Sequence, residues 1–178
     1  IDYFLICDYG HNFIDNKIVA LLNSSKKKNF LNAQTNAANI GYHSINKYKN
    51  IYSLIINENE LRQEMRDSNS DIKFLAKNLM IKNKITKIIV TSGKNGAILI
   101  DEKFNVYSCP AFAKKTVDKV GAGDTMLAIA SMGLKLKLEP ELILFLSSLA
   151  SSISVESVGN KETITFEKID RIIEYVLK

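Results

Sequence analysis

The stretch Val117-Asp118-Lys119-Val120-Gly121-Ala122-Gly123-Asp124-Thr125 concentrates the chemistry of this sequence. Gly121, Ala122 and Gly123 lead into a run with helical apolar spacing, which predicts a helix opening at Gly121. The first N–H groups of a helix lack intrahelical acceptors and sit at the positive end of its dipole. Glycine lets an anion approach those amides closely, and a phosphate is the natural guest. Asp124 falls in the first turn, at the same mouth. A carboxylate there repels a phosphate unless it has a task. The fitting task is to take the proton of a hydroxyl that attacks phosphorus, while the helix end holds the developing negative charge. The blander alternative is a tight loop with Asp124 as a helix cap, and these four residues alone leave the two readings level. Neither GxxxxGK[ST] nor GxGxxG occurs, which sets aside the P-loop and dinucleotide modes.

Two more polar segments close predicted strands. Thr91-Ser92-Gly93-Lys94-Asn95-Gly96 ends one strand and begins the next. Small residues at the carboxyl end of a parallel strand form a crevice where ligands bind in open α/β sheets. Asn57-Glu58-Asn59-Glu60 closes the preceding strand on the same rim. There Glu60 could hold a hydrated magnesium ion, and Asn57 could add a polar contact near phosphates. Asn32, Gln34 and Asn36 either line a polar pocket at another strand end or pair with loop backbone. His11 could touch a sugar or phosphate, but a surface-loop histidine is the favoured reading. His43 reads as an exposed helix-start residue, Cys7 as a buried strand thiol. Cys109, beside Pro110, is not expected to be a nucleophile without a neighbouring base.

The elements that must position these groups alternate. Strands are expected over Tyr3 to Cys7, Lys28 to Leu31, Ile51 to Ile56 and Lys87 to Val90. Helices fit Ile14 to Leu22, Glu58 to Met65 and Asp71 to Asn83. This order implies a parallel sheet with helices on its faces, and the continuous apolar runs suit strands covered on both sides. Gly96 to Ile100 and Phe104 to Ser108 then read as a hairpin that turns the sheet edge antiparallel. Helices follow over Gly121 to Lys137, Pro140 to Glu156 and Phe166 to Leu177, with Thr165 a cap for the last. The stripe Leu142, Leu146, Leu149, Ile153 is read as core packing. No linker, repeat or low-complexity tract interrupts the chain. An apolar strand at the very start, with no partner before it, predicts that the chain is the C-terminal portion of a larger domain.

Composition bounds the function classes. The 178 residues are 46% hydrophobic and 24% charged, with net charge +5. Those are ordinary globular values and exclude disorder as the main state. Two cysteines are too few for a disulfide scaffold, and with the two histidines they match no standard zinc spacing. The greasy run Leu142 to Val155 is interrupted by five serines and is too short and polar for a bilayer. The start Ile-Asp-Tyr-Phe has no basic leader, so a cytoplasmic, reduced protein is expected. Of the 24 basic residues only Arg62, Arg66 and Arg171 are arginines, whereas sequence readers of nucleic acid favour arginine. The cluster Lys26-Lys27-Lys28 reads as solvated surface.

Taken together, these residues resemble the ribokinase-like, or PfkB, family of carbohydrate kinases. VDKVGAGDT (Val117 to Thr125) resembles the family's C-terminal signature, which implies Asp124 as the base. Asn57 and Glu60 match its N-x-x-E motif, which implies magnesium and phosphate organisation. TSGKNG (Thr91 to Gly96) resembles its nucleotide-binding T-x-G-x-x-G turn. The resemblance further implies that Ser148 and the Val158-Gly159 turn lie near the adenine. Many members bind a monovalent cation where Asp118 stands, but here Lys119 follows in place of a small residue, so a bound potassium is in doubt and is not carried over. Cys7-Asp8-Tyr9-Gly10 is similar to the S-D-Y-G segment of heptose-phosphate kinases. Asn32 to Asn36 departs from their D-P-K segment and is closer to sugar kinases joined to a nucleotidyltransferase module.

The expectation is therefore an α/β, ribokinase-like three-layer fold: a mostly parallel Rossmann-like sheet, an antiparallel edge hairpin and helices on both faces. The resemblance implies a missing N-terminal half that carries the small β lid and most sugar contacts, with residues 1–178 as the C-terminal portion of one domain. The expected activity is ATP-dependent, magnesium-assisted phosphorylation of a sugar or sugar phosphate. Gly121, Ala122 and Gly123 form the anion hole. Asn57, Thr91, Ser92, Gly93, Lys94, Asn95, Gly96, Ser148 and Gly159 hold the nucleotide. Asp8, Asn32, Asn36 and Asp124 meet the substrate. A homodimer and a linked nucleotidyltransferase module are open options; membrane and nucleic-acid partners are not expected. A catalytically silent nucleotide-binding module is the alternative, and a lysine-rich nucleic-acid binder the weaker one.

Overall fold

A computed structural model describes residues 2–34, 44–113, 115, 117–118, 120–156 and 163–176. Six strands form one sheet: β1 (Tyr3–Asp8), β2 (Lys28–Ala33), β3 (Ile51–Asn57), β4 (Lys87–Thr91), β5 (Ala97–Ile100) and β6 (Val106–Cys109), in the order β1-β2-β3-β4-β5-β6. The first four run parallel, and β5 and β6 return antiparallel. The helices are α1 (Asn16–Ser24), α2 (Glu58–Met65), α3 (Ile72–Asn83), α4 (Ala122–Lys135), α5 (Pro140–Glu156) and α6 (Phe166–Val176). The sheet therefore has the expected parallel body and antiparallel edge.

Sheet order follows chain order. Right-handed crossovers between parallel strands that always advance in one direction place every crossover helix on the same face. That face carries α1, α2 and α3, and its core joins Leu31, Leu54, Ile56, Ile88, Val90 and Ile100 to Leu61, Leu75 and Leu79. Alternate strand residues Phe30, Ile55, Ile89 and Leu99 point the other way and pack on Met126, Leu127, Leu144 and neighbours from α4 and α5. Two apolar layers thus sandwich β3 and β4, whose central residues read as unbroken apolar runs for that reason. Tyr3, Phe30 and Tyr52 add edge-to-face ring contacts at 5.2 and 5.3 Å on the α4 side.

Local signals set the helix starts. Asp15 accepts from the N–H groups of Lys17 and Ile18, and Asp71 from those of Lys73 and Phe74, so two carboxylates satisfy orphan amides at helix starts. The α1 and α3 spacing was read one or two residues early because Asp71 and the Ile14 turn lie just outside the helical backbone. Strands β2 and β4 extend further than their apolar runs, to Ala33 and Thr91, because ladder pairing continues past the last large side chain.

Three expectations change. Cys7 is exposed, not buried: β1 is an edge strand, and its α4-facing residues Leu5 (45% exposed) and Cys7 lack a full cover. Leu142 of the anticipated α5 stripe is 43% exposed, while Ile143 and Leu144 turn inward instead. Gly96 belongs to the turn before β5, not to the strand. His43 lies outside the described residues. Among the described residues, no helix is long and apolar enough to cross a membrane.

Leu54 is fully buried between β2, β4 and the α1–α3 layer. Leu54→Ala is expected to cost about 3 kcal/mol through lost burial and a residual cavity. Urea unfolding checks this: the midpoint should fall while the slope is unchanged.

Candidate functional site

The carboxyl ends of β2, β3 and β4 open onto a cleft of about 830 Å³. Its walls come from β3–α2, the β4–β5 turn, the segment after β6, and the facing ends of α4 and α5. Of the residues expected from sequence, Asn32, Asn57, Glu60, Thr91, Ser92, Gly93, Lys94, Gly96, Ala122, Gly123 and Ser148 line this cleft together. Asn95, Gly121, Asp124 and Asp8 do not line it. Asn36 and Gly159 lie outside the described residues, as do Lys119 and Val158.

The first turn of α4 forms one wall. Gly121 precedes it in the left-handed region at φ 84°, a conformation that favours glycine. Thr125 N–H closes the first helical bond onto Gly121 O at 2.9 Å. Ser151 on α5 donates its hydroxyl to Ala122 O at 3.1 Å. Val117 and Asp118 donate their amides to Val155 O at 2.8 and 3.1 Å. The approach to the glycine turn is therefore tied to the end of α5 rather than left loose. A Cβ placed on Gly123 would lie 2.2 Å from Asn32 Nδ2, so the strand-end amide of Asn32 is packed directly against the helix start. Asn32 itself is only 3% exposed, and that face opens to the cleft.

Asp124 stands on the opposite side of the same turn, over β1. Tyr9 donates its hydroxyl to Asp124 Oδ2, while Oδ1 is buried and has no hydrogen-bond partner among the described residues. This bond to Asp124, with burial second, pushes the Tyr9 phenol up to about 12. Loss of water and the same carboxylate push the nearby Cys7 thiol to about 12 as well. The base candidate is thus neighbour to the cleft through Gly123 without being part of its lining.

Asn57 and Glu60 form a reciprocal helix cap. Asn57 Oδ1 accepts from Glu60 N–H at 2.9 Å, and Glu60 Oε2 accepts from Asn57 N–H at 3.0 Å. The N-x-x-E spacing is therefore a capping box, a reading that its sequence alone already allowed. Glu60 is also 8% exposed on the cleft wall. Magnesium needs only one or two carboxylates besides water and phosphates, so the donor set here fits that ion. Among the described residues, no three His, Cys, Asp or Glu side chains converge in a metal-binding group.

In the β4–β5 turn, Gly93 (φ 54°) and Gly96 (φ 86°) take left-handed conformations. A Cβ on Gly96 would fall 2.1 Å from Cys109 O, so only glycine lets β6 close against this turn. Ser92 N–H bonds Gly96 O at 2.8 Å, which holds the loop shut at its base. Lys94 stays exposed at its tip, on the cleft rim.

Asp8 was expected to touch substrate but is 3% exposed and engaged inside the fold. It accepts from Tyr48 at 2.5 Å, from Lys47 at 2.6 Å and from Gly10 N–H at 2.9 Å. Burial alone would raise its pKa; Lys47, Tyr48 and the Gly10 amide outweigh it and hold it below the usual carboxylate range. The sequence could not show this, since Lys47 and Tyr48 are about forty residues away. Ser151, Ser152, Val155 and Phe112 also line the cleft. They went unnoticed because serines and apolar residues of a helix read as packing.

Comparison with known proteins bears on this geometry. The profile of pfkB family carbohydrate kinases matches residues 11–166. The chain belongs to that family. A curated relative, the bifunctional protein HldE of Aliarcobacter butzleri, is 26% identical over 175 residues, covering 96% of this chain and 35% of that protein. The ribokinase of Thermotoga maritima superposes with TM-score 0.76 at 18% identity, over 97% of this chain and 57% of that one. The Arabidopsis thaliana ribokinase complexed with ribose and ATP gives 0.74 at 17% identity, over 96% and 55%. The fold is ribokinase-like. The chain spans about a third of the length of the curated relative and somewhat more than half of these solved kinases.

Capping and metal roles at Glu60 can be separated. Glu60→Ala is expected to lower stability by about 1 kcal/mol through loss of the cap. Glu60→Gln keeps an acceptor for Asn57 N–H and should stay within about 0.5 kcal/mol of the parent. Thermal unfolding of the two variants without nucleotide checks both.

Proposed function

We propose that this chain is the ATP-binding and phosphoryl-transfer portion of a carbohydrate kinase that phosphorylates an alcohol group of a sugar or sugar phosphate. The observation that carries the reading is the first turn of α4. Its residues Ala122 and Gly123 line the cleft, and the carboxylate of Asp124, one residue on, keeps a buried oxygen without a hydrogen-bond partner among the described residues. Family membership supports it.

In this reading the polyphosphate lies along the cleft, with its terminal phosphoryl at the amides of Gly121, Ala122 and Gly123. Helix-end amides stabilise charge as it develops on the transferred group. The β4–β5 turn from Thr91 to Gly96 encloses the nucleotide, and Ser148 lies toward its base end. Asp124 takes the proton of the acceptor hydroxyl. The acceptor oxygen forms its bond to the γ-phosphorus as the bond to the β–γ bridging oxygen breaks, and ADP leaves with that electron pair. Glu60 and Asn57 would hold magnesium through water; when bound, the ion neutralises phosphate charge. Asn32, which lines the cleft and packs against the helix start at Gly123, would meet the reactants there. The remaining sugar contacts and the lid would come from a preceding segment, and a linked nucleotidyltransferase module would belong to the full-length protein. An ATP-consuming kinase of this kind works in the cytoplasm.

A second reading is a nucleotide-binding module without turnover. It is favoured by one observation: Asp124 lies beside the cleft and not among its lining.

Asp124→Asn, made and assayed in a full-length version, decides between them. It should reduce kcat by about 10²- to 10⁴-fold and leave ATP–Mg affinity, read by calorimetry, within about twofold. A coupled ADP-release assay across sugars and sugar phosphates supplies the kinetics. Near-parental turnover in the variant removes the general-base assignment, and ATP–Mg binding with no turnover on any acceptor supports the silent module.

A further inference from the structure

We propose that Tyr9 is a positioning residue for Asp124: it holds Oδ2 so that Oδ1 alone is presented to the acceptor hydroxyl. The inference rests on the phosphoryl-transfer reading of Asp124 and adds a residue that neither the glycine signature nor the cleft contains.

The first support is the asymmetry of the carboxylate. Oδ2 receives the Tyr9 hydroxyl, from 115 residues away in sequence. Oδ1 is buried and meets no hydrogen-bond donor in good geometry among the described residues, with the Cys7 thiol as the other polar neighbour of the carboxylate. An unsatisfied buried carboxylate oxygen is costly to keep, and a donor arriving with substrate would satisfy it. A carboxylate free to rotate would offer either oxygen in many orientations; one held oxygen restricts the other to a single approach.

The second support is how Tyr9 comes to be there. The turn after β1 is fixed from beneath by Asp8. One carboxylate oxygen accepts Gly10 N–H at 2.9 Å, and the other accepts Tyr48 at 2.5 Å and Lys47 at 2.6 Å. Gln34 N–H bonds Asp8 O at 2.8 Å, and Gly10 turns the chain at φ 69°. Asp8 points into the α1–α3 layer, so its neighbour Tyr9 is directed to the α4 side by strand alternation. The Asp8 network therefore aims a phenol at Asp124, which stands over the same end of β1.

Tyr9 takes no proton in this scheme. The alcohol proton goes to Oδ1, the new bond forms between alcohol oxygen and γ-phosphorus, and Tyr9 keeps its own proton while donating to Oδ2. Tyr9 as a whole remains 43% exposed.

Two measurements test the proposal. In [ζ-¹³C]tyrosine-labelled chain, the Tyr9 signal, assigned by its loss in Tyr9→Phe, should titrate near 12 and move back toward 10 in Asp124→Asn. A parental midpoint near 10 overturns the contact and the proposal with it. In the coupled assay, Tyr9→Phe should lower kcat about tenfold, the worth of one hydrogen bond to a charged group, with KM for ATP unchanged. In the Asp124→Asn background the same substitution should add nothing. Parental kcat in Tyr9→Phe overturns the proposal, as does an equal loss in both backgrounds. Should Asp124→Asn itself keep full turnover, the general-base reading falls, and the tyrosine titration still reports separately whether the contact exists.

Discussion

Asn32 presses its carboxamide against the Cα of Gly123, and the candidate site depends on that contact more than on any single charged group. It fixes how closely the start of α4 approaches the ends of the parallel strands. Ser151 then secures the helix from the α5 side through Ala122 O, and Val155 O gathers the amides of Val117 and Asp118. Glycine at position 123 consequently has two reasons to be there. An anion needs the bare backbone, and the strand-end amide leaves no room for a Cβ. The signature that suggests phosphate chemistry is at the same time a packing requirement.

Several polar groups of this rim serve the architecture first. Glu60 and Asn57 close each other's orphan amides at the start of α2. Asp8 is spent on the turn after β1. Ser147 and Ser152 return their hydroxyls to carbonyls of their own helix at 2.7 and 2.6 Å, whereas the buried Ser148 hydroxyl between them, on the cleft wall, has no hydrogen-bond partner among the described residues. Right-handed crossovers send α1, α2 and α3 to one face of the sheet, so the carboxyl ends of β2, β3 and β4 are left open where α4 and α5 meet them. The cleft follows from this arrangement, and the polar residues on it are those that strand ends and helix starts already require.

Much of this was legible in the sequence, for physical reasons that differ by element. Helices α2 and α5 were read with their observed bounds because Asn57 and Pro140 mark their starts in residue type. The parallel body and the edge hairpin followed from apolar runs and the Asp101-Glu102-Lys103 turn. Legibility failed wherever a neighbour distant in sequence decides. The run YFLIC reads as a buried strand, yet β1 lies at the sheet edge and Cys7 is exposed. Asp8 looked like a ligand contact until Lys47 and Tyr48 came into view. Tyr9 carries no local mark of its link to Asp124. Leu142 turned outward because the α5 face is set by its fit on α4 and the sheet, not by helical spacing alone.

Because each strand lies beside its predecessor in the chain, the sheet can grow one ladder at a time, with short closures throughout. Loop-closure entropy favours such local steps. The two helices that build the cleft come after all six strands and must settle on a surface laid down earlier. The phosphate turn is thereby held by groups distant in sequence, Asn32 on β2 and Ser151 on α5, and not by its own local bonds alone.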